Sequence, residues 1–219
     1  GSNIWKIYGY LFFHTLIFAY VIERLFALER GLSIQQMVYL EVIYMTIVSL
    51  LEIPTGALAD KWDRKKVMVL SAFFTFFEFF ILIFAYNFWI FSLSMVSAAI
   101  AGALASGTLN SILYDTLKEQ GQESFFENKL ARINILDFAA AASAALLGGF
   151  MAARKGYTFN YWMSVISVTA SFFFALSLKN PKVVTSEDNG DGSYWKHMRE
   201  AFQFLRKSHS VLFVVFYGV

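Results

Sequence analysis

The chain of 219 residues lacks cysteine altogether and contains only two prolines, Pro54 and Pro181. The lack of cysteine excludes disulfides, thiolate metal sites and cysteine nucleophiles. Charged residues are scarce as well, at 16% against about 25% in an ordinary soluble domain. So few charges cannot cover the surface of a soluble protein, and 58% of the residues, including 25 phenylalanines, are hydrophobic. The composition therefore predicts a protein whose apolar surface is covered by a lipid bilayer.

Several motifs that carry chemistry are missing from the sequence. It contains no Walker loop for ATP, no His-Glu-x-x-His metal helix and no serine elbow with triad partners. The net charge is only +2, and the basic residues do not form the aromatic-laced stripe that is typical of nucleic-acid binding. We therefore expect no enzymatic activity, no cofactor, no bound metal and no nucleic-acid partner.

Six long apolar segments predict membrane-spanning helices, because a span needs about 20 mostly apolar residues. They cover residues 7–28, 36–59, 67–86, 88–113, 131–153 and 159–178. The predicted fold class is an all-α membrane protein with a six-helix transmembrane bundle in residues 1–178. A cytoplasmic linker and amphipathic helix are predicted at 179–208, and the truncated start of a seventh span at 209–219. Gly1 and Ser2 are expected to be a remnant of expression, and the first span a retained anchor rather than a signal peptide.

The positions of lysine and arginine predict the orientation of the bundle. All but four of the 18 basic residues fall on the side of the amino terminus. Because basic loops stay in the cytoplasm, we expect a multi-pass protein of the inner (cytoplasmic) cell membrane with its amino terminus in the cytoplasm. The four exceptions, which are expected on the outer side, are Arg24, Arg30, Arg154 and Lys155.

Segment ends carry recognisable signals. Gly31 predicts the end of a helix, and Ser33 with Gln36 predicts a capping box at the start of the next one. Pro181 and the polar run at 186–193 are typical of a linker. From residue 195 to 207, apolar residues recur at helical spacing opposite basic ones. This pattern predicts an amphipathic helix, either on the inner membrane surface or packed on the protein's own cytoplasmic side.

The most specific pattern lies between the second and third predicted spans. Residues 56–66 read Gly-Ala-Leu-Ala-Asp-Lys-Trp-Asp-Arg-Lys-Lys. They resemble the signature loop of the major facilitator superfamily, G-x-L-A-D-r-x-g-R-K-x, and the preceding Glu-Ile-Pro-Thr at 52–55 resembles the run that leads into it. By this resemblance the chain is the amino-terminal six-helix half of such a transporter. Asp63 departs from the pattern, since the family has glycine there, so either the turn differs or Asp63 pairs with a nearby lysine.

The resemblance implies that this loop helps to close the cytoplasmic side of the transporter. In the family, an acid at the inner end of the fourth helix joins the aspartate and arginine of the loop in a charge cluster. Asp115 stands at that place here, and capping of a helix end is the alternative role for it. The implied cytoplasmic gate consists of Glu52, Gly56, Asp60, Arg64, Lys65 and Asp115.

The resemblance further implies that the first and fourth helices line the central cavity and that the third and sixth lie outside. Stripes of small or polar residues at spacing four on the fourth and fifth helices predict close helix packing. These stripes are Ala98, Gly102, Ser106 and Asn110, and then Ala140, Ala144, Gly148 and Ala152.

Ionisable residues inside spans are costly and are therefore candidates for function. A proton-coupling carboxylate must change its protonation as its surroundings change, and depth in the span favours Asp137 and Glu41. Structural pairing, for example of Asp137 with Arg132, is the alternative. Glu78 on the third helix is expected to be structural or protonated. The candidates for proton coupling or substrate binding are Asp137, Glu41, Glu23, Arg24, His14, Asn110 and Asn134.

These observations predict a secondary active transporter that moves a small molecule by alternating access and is coupled to protons. Drug or amphiphile efflux is one form of this function, although only the two glycines at 148–149 remain of a motif typical of drug–proton antiporters. The expected partners are a small-molecule substrate, protons, the lipid bilayer and a missing carboxy-terminal six-helix half. Two alternatives stay open: a lipid or lysolipid flippase on the same fold, and a non-transporting membrane scaffold or binding protein.

Overall fold

The computed structural model describes residues 2–61 and 63–181, and the side chains of residues 3–52, 54–55 and 63–181. Eight α-helices make up most of this part, with short 3₁₀ turns at Tyr20–Ile22 and Glu123–Phe125. The helices are α1 (Ser2–Thr15), α2 (Glu23–Glu29), α3 (Ile34–Lys61), α4 (Arg64–Ile83), α5 (Phe88–Ala105), α6 (Thr108–Glu119), α7 (Phe126–Lys155) and α8 (Tyr157–Ser177).

These helices build six segments that are long and apolar enough to cross a membrane. They are Asn3–Glu29, Ile34–Glu52, Arg64–Ile83, Phe88–Glu119, Glu123–Lys155 and Tyr157–Ser177. The predicted all-α class and the six spans are thus confirmed. The first and fourth spans each contain two helices separated by a break, at residues 16–19 and 106–107. The predicted amphipathic helix and the seventh span lie outside the described residues.

Local sequence explains where several helices begin and end. Gly31 has a φ of +86°, a backbone conformation that favours glycine. The predicted capping box is present, because the Ser33 amide donates to Gln36 Oε1 at 2.9 Å and the Gln36 amide donates to Ser33 Oγ at 3.2 Å. Asn87 likewise caps α5, since its side chain accepts from the Ile90 amide at 3.1 Å.

The helices pack in a definite order. α3 packs on α5, α5 on α4, α4 on α8, α8 on α1, and α1 on α7. The third and sixth spans, α4 and α8, are therefore central: within an apolar stretch of 18 residues, 50% and 44% are buried, against only 11% and 17% in the second and fifth spans. The face of α7 that carries Ala140, Ala144, Gly148 and Ala152 is buried, which confirms the packing predicted for that stripe.

The packing predicted for the stripe on the fourth span is wrong. Ala98 and Gly102 line a cavity, and Ser106 and Asn110 are exposed. The physical reason is that α3 approaches this face with the long Tyr44 side chain, whose hydroxyl lies near Gly102, and not with its described backbone. Small side chains at Ala98 and Gly102 leave space for the cavity and for the Tyr44 hydroxyl, and do not bring the helix backbones together.

The two ends of the bundle are each held together by polar contacts. At the end that carries Lys6, Lys65, Lys118 and Lys179, called the basic face below, Asn3 Nδ2 donates to Thr116 Oγ1 and to the Lys179 carbonyl, both at 3.0 Å. At the opposite end, Arg30 donates to Thr158 Oγ1 at 3.2 Å and lies 3.9 Å from the centre of the Tyr86 ring. The breaks in the first and fourth spans lie between these two ends.

Candidate functional site

The break at residues 16–19 is held by polar side chains of α8. Asn160 Nδ2 donates to the Phe18 carbonyl at 2.9 Å, and the Ala19 amide donates to Ser164 Oγ at 3.1 Å. Ser167 Oγ donates to the Phe13 carbonyl at 2.8 Å. Non-helical backbone is tolerated at membrane depth only where neighbouring groups satisfy its donors and acceptors. These three polar side chains of α8 therefore fix the first span in its broken form.

Gly148 allows α7 to lie very close to the backbone of this break. A Cβ atom at this position would lie 2.6 Å from the Phe18 carbonyl oxygen and 2.9 Å from a Val21 methyl group. Asn160 Nδ2 also donates to the Gly148 carbonyl at 2.8 Å. The first, fifth and sixth spans thus meet at one point around Phe18.

The break at residues 106–107 has a different construction. Gly107 has a φ of +72°, and the Thr108 hydroxyl donates to the Leu104 carbonyl at 2.8 Å. The Thr55 hydroxyl lies 3.0 Å from the Ala103 carbonyl oxygen and 2.7 Å from that of Leu51, so it can donate to only one of them at a time. Both Ser106 and Gly107 are exposed.

A cavity of about 330 Å³ lies beside these breaks, between the first four spans. We call it the glutamate cavity because three glutamates from three spans line it. Glu23 comes from the first span, Glu41 from the second and Glu78 from the third. The remaining lining residues are His14, Tyr20, Tyr44, Thr75, Met95, Ala98, Ala101, Gly102 and Ala105.

The three glutamates have different surroundings. Glu41 is half-exposed and its Oε1 lies 3.2 Å from Nη2 of Arg24, so this pair is a solvent-accessible ion pair. Glu23 is half-buried. Glu78 is only 8% exposed, and no hydrogen-bond or ion-pair partner for it is found among the described side chains. Its position in a cavity was not predicted, because the third span was expected to lie outside.

A second cavity of about 220 Å³, the aspartate cavity, lies on the other side of His14 and Ala105, which line both cavities. Asp137 and Asn134 on α7 face Thr15 on α1 across it, and the Thr15 hydroxyl donates to the Asp137 carboxylate. The other lining residues are Tyr10, Leu11, Met68, Leu109 and Ile133. Asp137 is thus paired with a neutral hydroxyl, not with Arg132, which is exposed.

His14 separates the two cavities. Its ring stacks on Tyr10 with the ring centres 5.2 Å apart. Its Nδ1 atom is buried and has no hydrogen-bond partner among the described residues. A titratable ring in such a place can exchange a proton with either cavity when water enters.

An ion pair joins the fourth span to the signature loop at the basic face. Arg64 Nε lies 2.5 Å from Asp115 Oδ2, and the Asp115 side chain is only 9% exposed. The pairing of these two residues is therefore present, while their role as a gate stays a prediction. Glu52 is exposed and Lys65 is half-buried. Gly56 and Asp60 lie in α3, and nothing beyond their backbone is described.

Asp63 occupies the position where the resemblance expects glycine. Its φ of −55° is accessible to any residue, so the turn before α4 needs no glycine here. The Lys66 ammonium group lies 2.8 Å from the Asp63 carboxylate. This donated hydrogen bond holds the pKa of Asp63 below its ordinary value. The pairing with a nearby lysine was one of the two alternatives that the sequence left open.

The remaining candidates are only partly brought together. Asn134 lines the aspartate cavity, whereas Asn110 is exposed on α6 and lines neither cavity. Arg24 and Glu23 line a small cavity of about 30 Å³ next to the glutamate cavity. No cluster of three histidine, aspartate or glutamate side chains in the described part of the chain is close enough to hold a metal ion.

Comparison with known proteins places this arrangement in a family. The model of the Major Facilitator Superfamily matches residues 8–219, which is nearly the whole chain. A search among curated proteins finds no match. Six apolar spans, the signature loop and the family match agree with one another. The chain belongs to the Major Facilitator Superfamily of membrane transporters, and its six spans are those of one transporter half-domain.

Proposed function

We propose that the protein is a proton-coupled secondary active transporter that moves a small molecule across the membrane by alternating access. The observation that supports this is the pair of cavities, one lined by three glutamates and the other by Asp137, that share His14 and Ala105 next to the breaks in the first and fourth spans. Interrupted helices at membrane depth are typical of substrate and ion sites in secondary transporters. A second six-helix half would complete the pathway.

Asp137 is the coupling acid that we propose. It lies in a mostly apolar cavity, and its described partner is the neutral hydroxyl of Thr15 rather than a cation. A carboxylate without a permanent counter-charge can gain and lose a proton as the cavity hydrates and closes. Glu41, the other candidate, already has Arg24 as a counter-charge at 3.2 Å and is exposed, so it fits this role less well.

The proposed gate lies at the basic face, which we place in the cytoplasm because of its lysines and arginines. Arg64 and Asp115 connect α4 to α6, and α6 continues from the break at residues 106–107. Opening the cytoplasmic side by moving α6 would have to separate this ion pair. Glu52, Gly56, Asp60 and Lys65 are proposed to complete the gate, as the resemblance implies.

Proton movement in vesicles tests this function. The full-length protein is placed in vesicles with a preset pH gradient and a pH-sensitive dye, and a panel of drugs, sugars and amphiphiles is added. We expect at least one compound to collapse the gradient, and Asp137→Asn to abolish proton-driven uptake while substrate exchange continues. Glu123→Gln, which neutralises an exposed acid outside both cavities, is the matched control and should transport normally.

Each result has a definite meaning. Proton-driven uptake by Asp137→Asn at the rate of the control would exclude Asp137 as the coupling acid. If substrate movement by the unaltered protein does not depend on the pH gradient, proton coupling is excluded and a uniporter becomes the favoured function. No response to any compound would favour a lipid flippase, which labelled lipids in the same vesicles would reveal, or a non-transporting scaffold.

A further inference from the structure

Glu78 is an isolated acid in the middle of the helix bundle. It lies on α4, is 8% exposed and lines the glutamate cavity, and no described side chain pairs with it. An acid in the interior of a membrane protein is costly unless a proton or a cation neutralises it. Because Glu78 borders open space rather than a packed helix, a molecule that enters the cavity can supply the missing positive charge.

Acidic side chains outnumber basic ones around the cavity that contains Glu78. Glu23 and Glu41 line it as well, and Arg24 lies 3.2 Å from Glu41 and so offsets one of the three carboxylates. Neither lysine nor arginine is among the residues that line this cavity in the described part of the chain. A cavity lined by one sign of charge concentrates ligands of the opposite sign, and the ligand class favoured here is therefore cationic.

A bare metal ion does not fit this arrangement. Among the described residues, no three histidine, aspartate or glutamate side chains converge closely enough to hold one. The carboxylates lie around a space of about 330 Å³, at the lower end of the range of about 300–1,000 Å³ that is usual for small-molecule sites. The space suits a compact organic ion with a distributed charge.

Two tyrosines supply surfaces that such an ion can contact. Tyr20 lines the cavity, and its ring lies against Phe79 with the ring centres 5.6 Å apart. Tyr44 reaches over α5, where Gly102 leaves room for its hydroxyl group, 3.1 Å from the place a Cβ atom would occupy. Aromatic faces attract ammonium cations, and quaternary ammonium groups in particular.

We propose that the glutamate cavity binds a small organic monocation of the ammonium type, with Glu78 as its counter-charge and Tyr20 and Tyr44 as aromatic contacts. The proposal names the substrate class of the transporter described above and rests on that function for its physiological meaning. Binding itself can be measured without transport, so the two proposals can fail separately.

Equilibrium dialysis of radiolabelled choline against the full chain, purified in an uncharged detergent, measures this binding. The neutral isostere 3,3-dimethylbutan-1-ol, which has the shape of choline without its charge, is the competitor. We expect saturable binding of choline, with competition by the isostere at least about tenfold weaker, because a charge-assisted contact is lost. Glu78→Gln should weaken choline binding at least about tenfold, whereas Glu127→Gln, at an exposed position in the first turn of α7, should leave it within about twofold.

The outcomes separate the two proposals. Absence of saturable binding of choline and of tetraethylammonium at millimolar concentration, or equal competition by the neutral isostere, overturns the cation site. Undiminished binding in Glu78→Gln also overturns it. If Glu78→Gln fails to fold, Glu23→Gln replaces it, and unchanged binding there counts against the site in the same way. Choline binding without transport of any compound would contradict the transporter proposal alone. Transport of a neutral compound without choline binding would contradict the cation site alone.

Discussion

The first and fourth spans are both interrupted, but the two breaks are held in different ways. At residues 16–19, three polar side chains of α8 and the bare backbone of Gly148 surround the irregular segment. At residues 106–107, no described residue lies within 4 Å of the place a Cβ atom of residue 107 would occupy, and Ser106 is exposed. One break is thus fixed by its neighbours, while the other depends on glycine and on the hydroxyls of Thr108 and Thr55.

This difference indicates where the bundle can change shape. The described residues leave open space at the Gly107 Cβ position, whereas straightening the first span would break hydrogen bonds from its backbone to α8. The helix beyond the flexible break, α6, carries Asp115, and its ion pair with Arg64 restrains it. We therefore expect motion at the fourth span and rigidity at the first.

Removing the restraint on α6 should have the largest effect. Breaking a fully buried ion pair costs about 3–5 kcal/mol. The Arg64 side chain is 31% exposed, so solvent screening lowers the expected cost of Asp115→Asn to about 2–3 kcal/mol. Thermal unfolding in detergent measures it. Glu41→Gln, which breaks the exposed pair with Arg24, is the control and should cost less than about 1 kcal/mol; equal losses would show that Asp115 does not restrain α6.

Filling the space at the fixed break should have the next largest effect. Gly148→Ala places a methyl group 2.6 Å from the Phe18 carbonyl oxygen, and overpacking of this kind costs about 1–3 kcal/mol. Gly149→Ala is the matched control, because no atom in the described part of the chain lies within 4 Å of its Cβ position and alanine favours helix by about 0.5–1 kcal/mol. Unfolding curves in detergent should shift in opposite directions, and equal stability of the two variants would argue against close contact at Phe18.

The flexible break should respond more weakly in stability than in transport. Gly107→Ala forces alanine into a left-handed conformation, at a cost of about 1–2 kcal/mol. Gly121 has a similar left-handed conformation, with a φ of +63°, and no described residue close to its Cβ position. The loss of stability in Gly121→Ala should therefore be similar to that in Gly107→Ala. Substrate uptake in vesicles should fall for Gly107→Ala and stay normal for Gly121→Ala. Equal uptake by the two variants would show that Gly107 is not a hinge.

The smallest effect is expected at the turn between the second and third spans, where the Asp63–Lys66 pair should make the stability of the protein depend on pH. The Lys66 hydrogen bond lowers the pKa of Asp63, so the stabilisation by this pair is present above the ordinary value of 3.8 and is lost as the pH falls through the lower pKa of the folded state. In Asp63→Asn this acid-side loss should be absent, as measured by unfolding temperature against pH. The same acid dependence in both proteins would rule out a contribution from this pair.

Much of the fold follows from the sequence, but the breaks do not. Long apolar segments predicted the six spans, and the signature loop predicted that Arg64 and Asp115 lie near each other. The break at residues 16–19 escaped prediction because it contains neither proline nor glycine. Its signal is on another helix, where Asn160, Ser164 and Ser167 recur at helical spacing, and a polar stripe on a predicted outer span could have indicated it.

The direction of Glu78 could not be predicted for a related reason. It is surrounded in sequence by phenylalanines on all sides, so periodicity does not show which face of α4 is buried. Only the packing of α4 between α5 and α8 decides that Glu78 points into the glutamate cavity. Part of the aspartate cavity could be predicted, because Asp137 and Asn134 were candidates in the fifth span. The hydrogen bond between Thr15 and Asp137 could not, because it depends on where the first span lies.

The dependence of the first span on α8 has a consequence for the order of events during membrane insertion. The first span is synthesised long before Asn160, Ser164 and Ser167, yet its break requires these side chains as hydrogen-bond partners. In lipid without them, the backbone groups around Phe18 would have to bond within their own segment, as a continuous helix. The first span should therefore enter the membrane unbroken and unwind only when the sixth arrives, so that its break belongs to the completed half-domain and not to the newly inserted first helix.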